Sequence, residues 1–122
     1  MTTIMSVGQC NPDHNAIARF LNSLFECKII RISTTEEAIE SLKEEKVDLV
    51  LVNRKLDMDY TDGMILIEKM QKDLILKDIP VMLISNYPEY QEEAMKLGAR
   101  RGFGKSELQL EESKNRVANV LS

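Results

Sequence analysis

Residues 47–53 read Val-Asp-Leu-Val-Leu-Val-Asn, and this run decides the fold class. Val47 to Val52 is almost wholly apolar and rich in β-branched side chains. A strand with one wet face would alternate apolar with polar residues, whereas a strand covered on both faces reads as a near-continuous apolar run. Coverage on both faces implies a parallel sheet whose crossovers are helices, so the segments on either side should alternate between strand and helix.

They do. Thr2 to Gly8 (TTIMSVG) is a short strand-like run closed by Gly8, and Asn11-Pro12 reads as a helix N-cap followed by proline at the first helical position. Ala16, Ile17, Phe20, Leu21 and Leu24 recur at helical spacing, predicting a helix over 12–25. Cys27 to Ile32 is β-rich. Ser33-Thr34-Thr35 offers capping hydroxyls, Glu36-Glu37 places acids where the helix dipole favours them, and Ala38, Ile39 and Leu42 give an apolar face. Downstream of the central run, the polar stretch 53–63 leads into a third helix carrying Met64, Ile67 and Met70. Pro80 precedes a fourth strand, Val81 to Ile84. Tyr87 to Leu97 is a helix ended by Gly98 at C′. Ala99 to Phe103 is a fifth strand, and Ser106 to Leu121 a last helix with Leu108, Leu110, Val117, Val120 and Leu121.

The chain has 122 residues, enough for one domain spanning 1–122. Its 43% hydrophobic and 30% charged content is that of a globular protein and excludes disorder, while Gly 5, Pro 3 and Cys 2 exclude collagen-like and disulfide-rich classes. Sixteen Lys+Arg against twenty Asp+Glu give a net charge of -4, which argues against a nucleic-acid partner. No apolar run is long enough to span a membrane, and Met1 to Gly8 lacks the charged and apolar regions of a signal peptide. A cytoplasmic protein is expected, with Cys10 and Cys27 as reduced thiols. The methionines fall mostly at core-facing positions, where packing explains them.

Alternating strands and helices of this length predict a doubly wound, five-stranded parallel sheet with right-handed crossovers. Ligands in such sheets sit beyond the carboxyl ends of the strands. The residues that reach that edge are Gln9-Cys10, Ser33, Asn53, Ser85-Asn86 and Gly104-Lys105.

Four segments, in this order and on these elements, resemble the receiver domain of bacterial two-component response regulators over essentially the whole chain. They are Ser6 to Asp13, Asp48 to Asn53 with Asp62-Gly63, Pro80 to Ser85, and Leu97-Gly-Ala closed by Lys105. The resemblance implies a flavodoxin-like (βα)5 fold and a signalling role in a phosphorelay. In that family a carboxylate at the end of the third strand takes a phosphoryl group, and an acidic pair after the first strand holds Mg²⁺. A hydroxyl after the fourth strand and a lysine after the fifth contact the phosphoryl oxygens, because phosphoryl transfer needs an in-line nucleophile and positive charge around the equatorial oxygens.

Position by position, Asn53 stands at the phosphoacceptor, Gln9 and Cys10 at the acidic pair, Ser85 at the hydroxyl and Lys105 at the lysine. An amide cannot form an acyl phosphate, and neither glutamine nor thiol offers the hard anionic oxygen Mg²⁺ wants. Gly102 occupies the place of the family's switch aromatic, Ser106 replaces the proline after the lysine, and Gly63 lies ten residues beyond Asn53, a longer loop than usual. The resemblance is therefore to a degenerate member. It implies a pseudo-receiver that is not an enzyme, needs no cofactor, and acts by binding proteins such as a sensor kinase or a signalling effector. The alternative is an active receiver that uses Mg²⁺ and a substitute acid, Asp57 or Asp59. A flavodoxin-type cofactor binder is set aside, since no phosphate-cradling loop follows the first strand.

Lys105, deprived of the family's acids, is expected to hold Asn53 and Ser85 in one hydrogen-bonded cluster. The loop Asp57-Met-Asp-Tyr-Thr-Asp-Gly63 is similar to a calcium loop, but its spacing is off by one and no glutamate follows at the required distance, so Asp62 is read as an N-terminal acid for the third helix. His14 is expected at the surface, and Cys10 beside a helix N-terminus has the setting of a redox-sensitive thiol. Arg100-Arg101 and the acids Glu107, Glu111 and Glu112 suggest a two-fold homodimer across the face formed by the fourth helix, fifth strand and fifth helix.

Overall fold

A computed structural model describes residues 1–121. Five strands, β1 (Thr2–Val7), β2 (Cys27–Ile32), β3 (Leu49–Asn53), β4 (Val81–Ile84) and β5 (Arg100–Phe103), form a parallel sheet in the order β2-β1-β3-β4-β5. Helices α1 (Asn11–Leu24), α2 (Thr35–Glu44), α3 (Met64–Lys72), α4 (Pro88–Lys96) and α5 (Glu111–Leu121) connect and cover them. This is the flavodoxin-like (βα)5 arrangement the sequence predicts.

The central run behaves as its composition demands. Val50 and Val52 point into the layer under α2, α3 and α4, where they meet Met5, Val7, Val81 and Leu83. Leu49 and Leu51 point into the opposite layer with Ile4, Ile17, Phe20, Met82, Phe103 and Val117. These four β3 side chains are fully buried, which is what a two-period strand between two apolar layers requires. The register lines up the strand ends: Val7 lies beside Val52, Asn53 beside Ile84, and Ile84 beside Phe103. Residues just beyond those positions therefore share one edge of the sheet.

Several boundaries move for local reasons. The N-cap of α1 is Cys10, not Asn11; the Asn11 side chain instead accepts a 2.6 Å hydrogen bond from Arg31. At α2, Thr34 caps as expected, accepting from the Glu37 amide. The last helix begins later than predicted. A short 3-10 turn, Lys105–Glu107, comes first, and Glu107 folds back to accept from the Gly104 amide at 2.7 Å. Leu110 lies in the turn before α5, not in the helix, and is 48% exposed. Gly98, at φ +110, ends α4 in the left-handed conformation expected of C′.

Candidate functional site

The carboxyl edge of the sheet carries a cleft of about 250 Å³ lined by Asn53, Arg54, Lys55, Ser85, Asn86 and Lys105, with Tyr87 and Tyr90 along one side. It gathers three cations and no carboxylate. Asn53, the last residue of β3, is half-buried, and its Nδ2 donates to the Lys55 carbonyl at 2.8 Å and the Gly8 carbonyl at 3.5 Å. Ser85 is buried, and its Oγ accepts from the Tyr87 amide at 3.2 Å. Lys105 shares the cleft with both but is bonded to neither. Its Nζ donates to Asp13 Oδ2 at 2.6 Å, a part-buried ion pair between the β5 end and the first turn of α1. The expected Asn53–Ser85–Lys105 cluster is corrected accordingly: Asp13 supplies the anion that the amide at position 53 cannot. Partial burial works against the Asp13 carboxylate, but the hydrogen bonds from Lys105 and Cys10 and the ammonium charge outweigh it and hold its pKa below the usual value.

The loop after β3 closes over the turn after β1. Leu56 is fully buried although it sits in a polar stretch. Gly8 has φ +76, and a Cβ there would lie 2.4 Å from Leu56 Cδ2, so the glycine is required both by its backbone conformation and by the leucine seated on it. The Asp57 amide donates to the Gly8 carbonyl at 3.0 Å, and Leu56 and Thr61 pair through their backbones at 2.9 Å. Asn53, Gly63 and Arg54 close the same loop: the Gly63 amide donates to the Arg54 carbonyl, and a Cβ on Gly63 would strike the Asn53 carbonyl oxygen. Gln9 is buried, with Nε2 turned back to the Val7 carbonyl at 3.4 Å and Oε1 unpartnered. Cys10, free and half-buried, contacts Asp13.

Gly102 lies where a Cβ would meet the Leu83 carbonyl at 2.1 Å, so β5 runs close against β4 here and no side chain fits. Gln91 of α4 uses that closeness. It is buried, its Nε2 donates to the carbonyls of Leu83 (2.9 Å) and Ser85 (3.1 Å), and its Oε1 accepts from the Gly102 amide (2.9 Å). These bonds take up strand-end groups where the β4–β5 register is irregular.

The sequence profile of the response regulator receiver domain matches residues 12–117. The chain belongs to this family. No curated protein matches it. Among solved structures, a candidate response regulator from Chloroflexus aurantiacus J-10-fl is 20% identical, covers 98% of this chain and 97% of its own, and superposes with a TM-score of 0.85. The N-terminal receiver domain of a Bacteroides fragilis response regulator is 21% identical over 100% and 98% of the two chains, with a TM-score of 0.79. The receiver domain of a DNA-binding response regulator from Colwellia psychrerythraea 34H is 22% identical over 98% of each, with a TM-score of 0.78. The receiver is thus a module of two-component signalling, a family whose members work through protein partners such as kinases and effectors.

In this receiver the acid-bearing positions do not fit the Mg²⁺ that the family implies. Gln9 and Cys10 carry no carboxylate, the Asp13 carboxylate is held by Lys105, and Leu56 fills the space over Gly8. Among the described residues no three His, Cys, Asp or Glu side chains come together as a metal site. Asp57 and Asp59 are exposed on the loop and do not line the cleft; Asp59 accepts from the Thr61 amide and hydroxyl, which lowers its pKa. Asp62 lies just before α3, whose N-cap is Gly63; it accepts from the Met64 amide at 2.9 Å and pairs with Arg54 at 3.4 Å. Arg54 also stacks over the Tyr90 ring at 4.4 Å. His14 is half-buried instead of exposed; burial first, and then the Arg31 charge, lower its pKa. Among the described residues no helix is long and apolar enough to cross a membrane.

Asp13, Leu56 and Gln91 are the residues that sequence reasoning passed over. Two of them had a faint signal. Leu56 is the apolar residue in a polar loop, and Gln91 interrupts the helical face that continues to buried Ala94.

Proposed function

We propose that this receiver is a pseudo-receiver: a cytoplasmic, non-enzymatic interaction module that signals without phosphorylation at the usual position and without a bound cofactor. The observation that carries the reading is Asn53 itself, with its amide nitrogen engaged by Lys55 and Gly8 at the point where an anionic nucleophile would have to stand free. The acid-free turn at Gln9 and Cys10, the Leu56 cover and the Lys105–Asp13 pair support it from three sides. Partner choice then falls to the face of α4, β5 and α5, where Tyr87, Arg100 and Arg101 are exposed, and the partner is a sensor kinase or a signalling effector. The competing reading, phosphorylation of Asp57 or Asp59 with Mg²⁺, has less support because both carboxylates lie outside the cleft that holds Ser85 and Lys105.

Incubation with acetyl phosphate and Mg²⁺ followed by intact mass measurement tests the proposal. The parent protein is expected to keep its mass, and so is Asn53→Asp, since restoring one acid supplies neither the metal pair nor room over Gly8. A gain of about 80 Da, the mass of one phosphate group, on the parent protein overturns the proposal, and peptide mapping would then begin at Asp57 and Asp59.

A further inference from the structure

What each cation of the carboxyl-edge cleft faces decides what the cleft can take. Lys105 is matched by Asp13 at 2.6 Å. Arg54 is matched by Asp62 at 3.4 Å and lies over the Tyr90 ring, with its Nε buried and unpartnered among the described residues. Lys55 is exposed, and its Nζ lies 5.2 Å from the centroid of the Tyr60 ring. Among the described residues no carboxylate pairs with it; the loop acids Asp57 and Asp59 lie outside the cleft, and Asp59 is bonded to Thr61. Of the three cations that line the cleft, one therefore has no counter-charge.

The neutral polar groups of the cleft are donors as well. Ser85 Oγ accepts from the Tyr87 amide at 3.2 Å, so its own proton is free to be donated. Asn86 Oδ1 accepts from the Ser106 amide at 3.2 Å and hydroxyl at 2.9 Å, which leaves Nδ2 as a donor facing no acceptor among the described residues. Donors around a single uncompensated cation call for a monoanion with acceptor oxygens, and a carboxylate is that group. A phosphate dianion would bring more negative charge than the cleft leaves open. The volume, about 250 Å³, is below that of most small-molecule pockets and suits one side chain. Ile84, Tyr87 and Tyr90 supply an apolar wall for its methylenes, and Tyr87, 59% exposed at the N-cap of α4, carries the mouth of the cleft onto the α4 face.

We infer that the cleft receives an aspartate or glutamate side chain of the protein partner, with Lys55 as its counter-ion and Ser85 and Asn86 as its hydrogen-bond donors. The inference rests on the reading of this chain as an interaction module and gives the partner its chemistry: an acidic residue, brought from outside to the edge where Asn53 has no charge. Lys55 is then a specificity-determining residue, since it supplies the one charge that the protein itself does not balance.

Backbone amide NMR titration of the full chain with the blocked peptide acetyl-Gly-Glu-Gly-amide, at constant ionic strength, tests it. The expected result is saturable shifts at Lys55, Ser85, Asn86 and Tyr90, with the glutamine counterpart of the peptide at least about fivefold weaker. Lys55→Ala should weaken the glutamate peptide by a similar factor and leave the melting temperature unchanged, because the side chain is exposed. Lys77→Ala, at an exposed lysine remote from the cleft, should change neither. The inference is overturned if the glutamate peptide gives no saturable shift, if the glutamine peptide or inorganic phosphate gives equal ones, or if binding survives Lys55→Ala. All of these are read on unphosphorylated protein, so the mass measurement with acetyl phosphate decides the pseudo-receiver reading separately.

Discussion

A single buried amide on α4 joins the last groups of β4 to the middle of β5. Gln91 meets two carbonyls and one amide that the irregular β4–β5 register leaves over. Replacing it with leucine keeps the volume but strands those groups, so Gln91→Leu should lower stability by about 3 kcal/mol, read as a fall in the urea midpoint at constant slope. Two other single residues contribute to the acid limb of stability. His14 has a lowered pKa, so the unfolded chain takes up its proton first and stability falls as pH drops below 6.5, its ordinary value. Asp13 has a lowered pKa as well; its contribution is complete above 3.8 and is lost as pH falls through the depressed folded value. Urea midpoints measured from about pH 7 to pH 5 should decline for the parent protein and stay flatter for His14→Gln. The sequence shows which residues stand at the family's site, because those are matters of residue type and order. It does not show that Lys105 reaches Asp13, which depends on how α1 packs beside β5, ninety-two positions away in the chain.

The element most changed from the family pattern is the loop from Asn53 to Gly63. Its extra length was legible in the sequence; its fold was not. Leu56 was hidden among polar neighbours, and only the backbone pairing of Leu56 with Thr61 and of Asp57 with Gly8 turns it into the core. Gly8→Ala should therefore destabilise by about 2 kcal/mol through overpacking and an unfavourable φ, and Leu56→Ala by about 3 kcal/mol through an unfilled cavity. In the double variant the costs should fall short of their sum, since removing the leucine relieves the clash; thermal or urea unfolding of the four proteins measures that coupling. The helices and strands themselves were readable because each has an apolar period, to which α2 adds a capping threonine at Thr34. The late start of α5 was not, because the Glu107 bond to Gly104 that makes the preceding turn involves a side chain rather than a pattern.

Across the whole molecule, two apolar layers meet on the alternating residues of β3 and hold the sheet whose carboxyl edge carries the candidate site. Amide for carboxylate at Asn53, leucine over Gly8, an ion pair at Lys105 and a glutamine staple at Gly102 are the four contacts on which the proposed phosphoryl-independent reading rests. The fold class was legible from one apolar run. The contacts along the carboxyl edge were not, because they join residues far apart in the chain, as Lys105 and Asp13 are. Backbone amide NMR spectra recorded with and without Mg²⁺ and beryllofluoride, a phosphoryl mimic, test that reading most directly. The expected result is that Ser85, Gln91, Gly102 and Lys105 keep their positions; shifts spreading from Asn53 through Ser85 to α4 and β5 would contradict it.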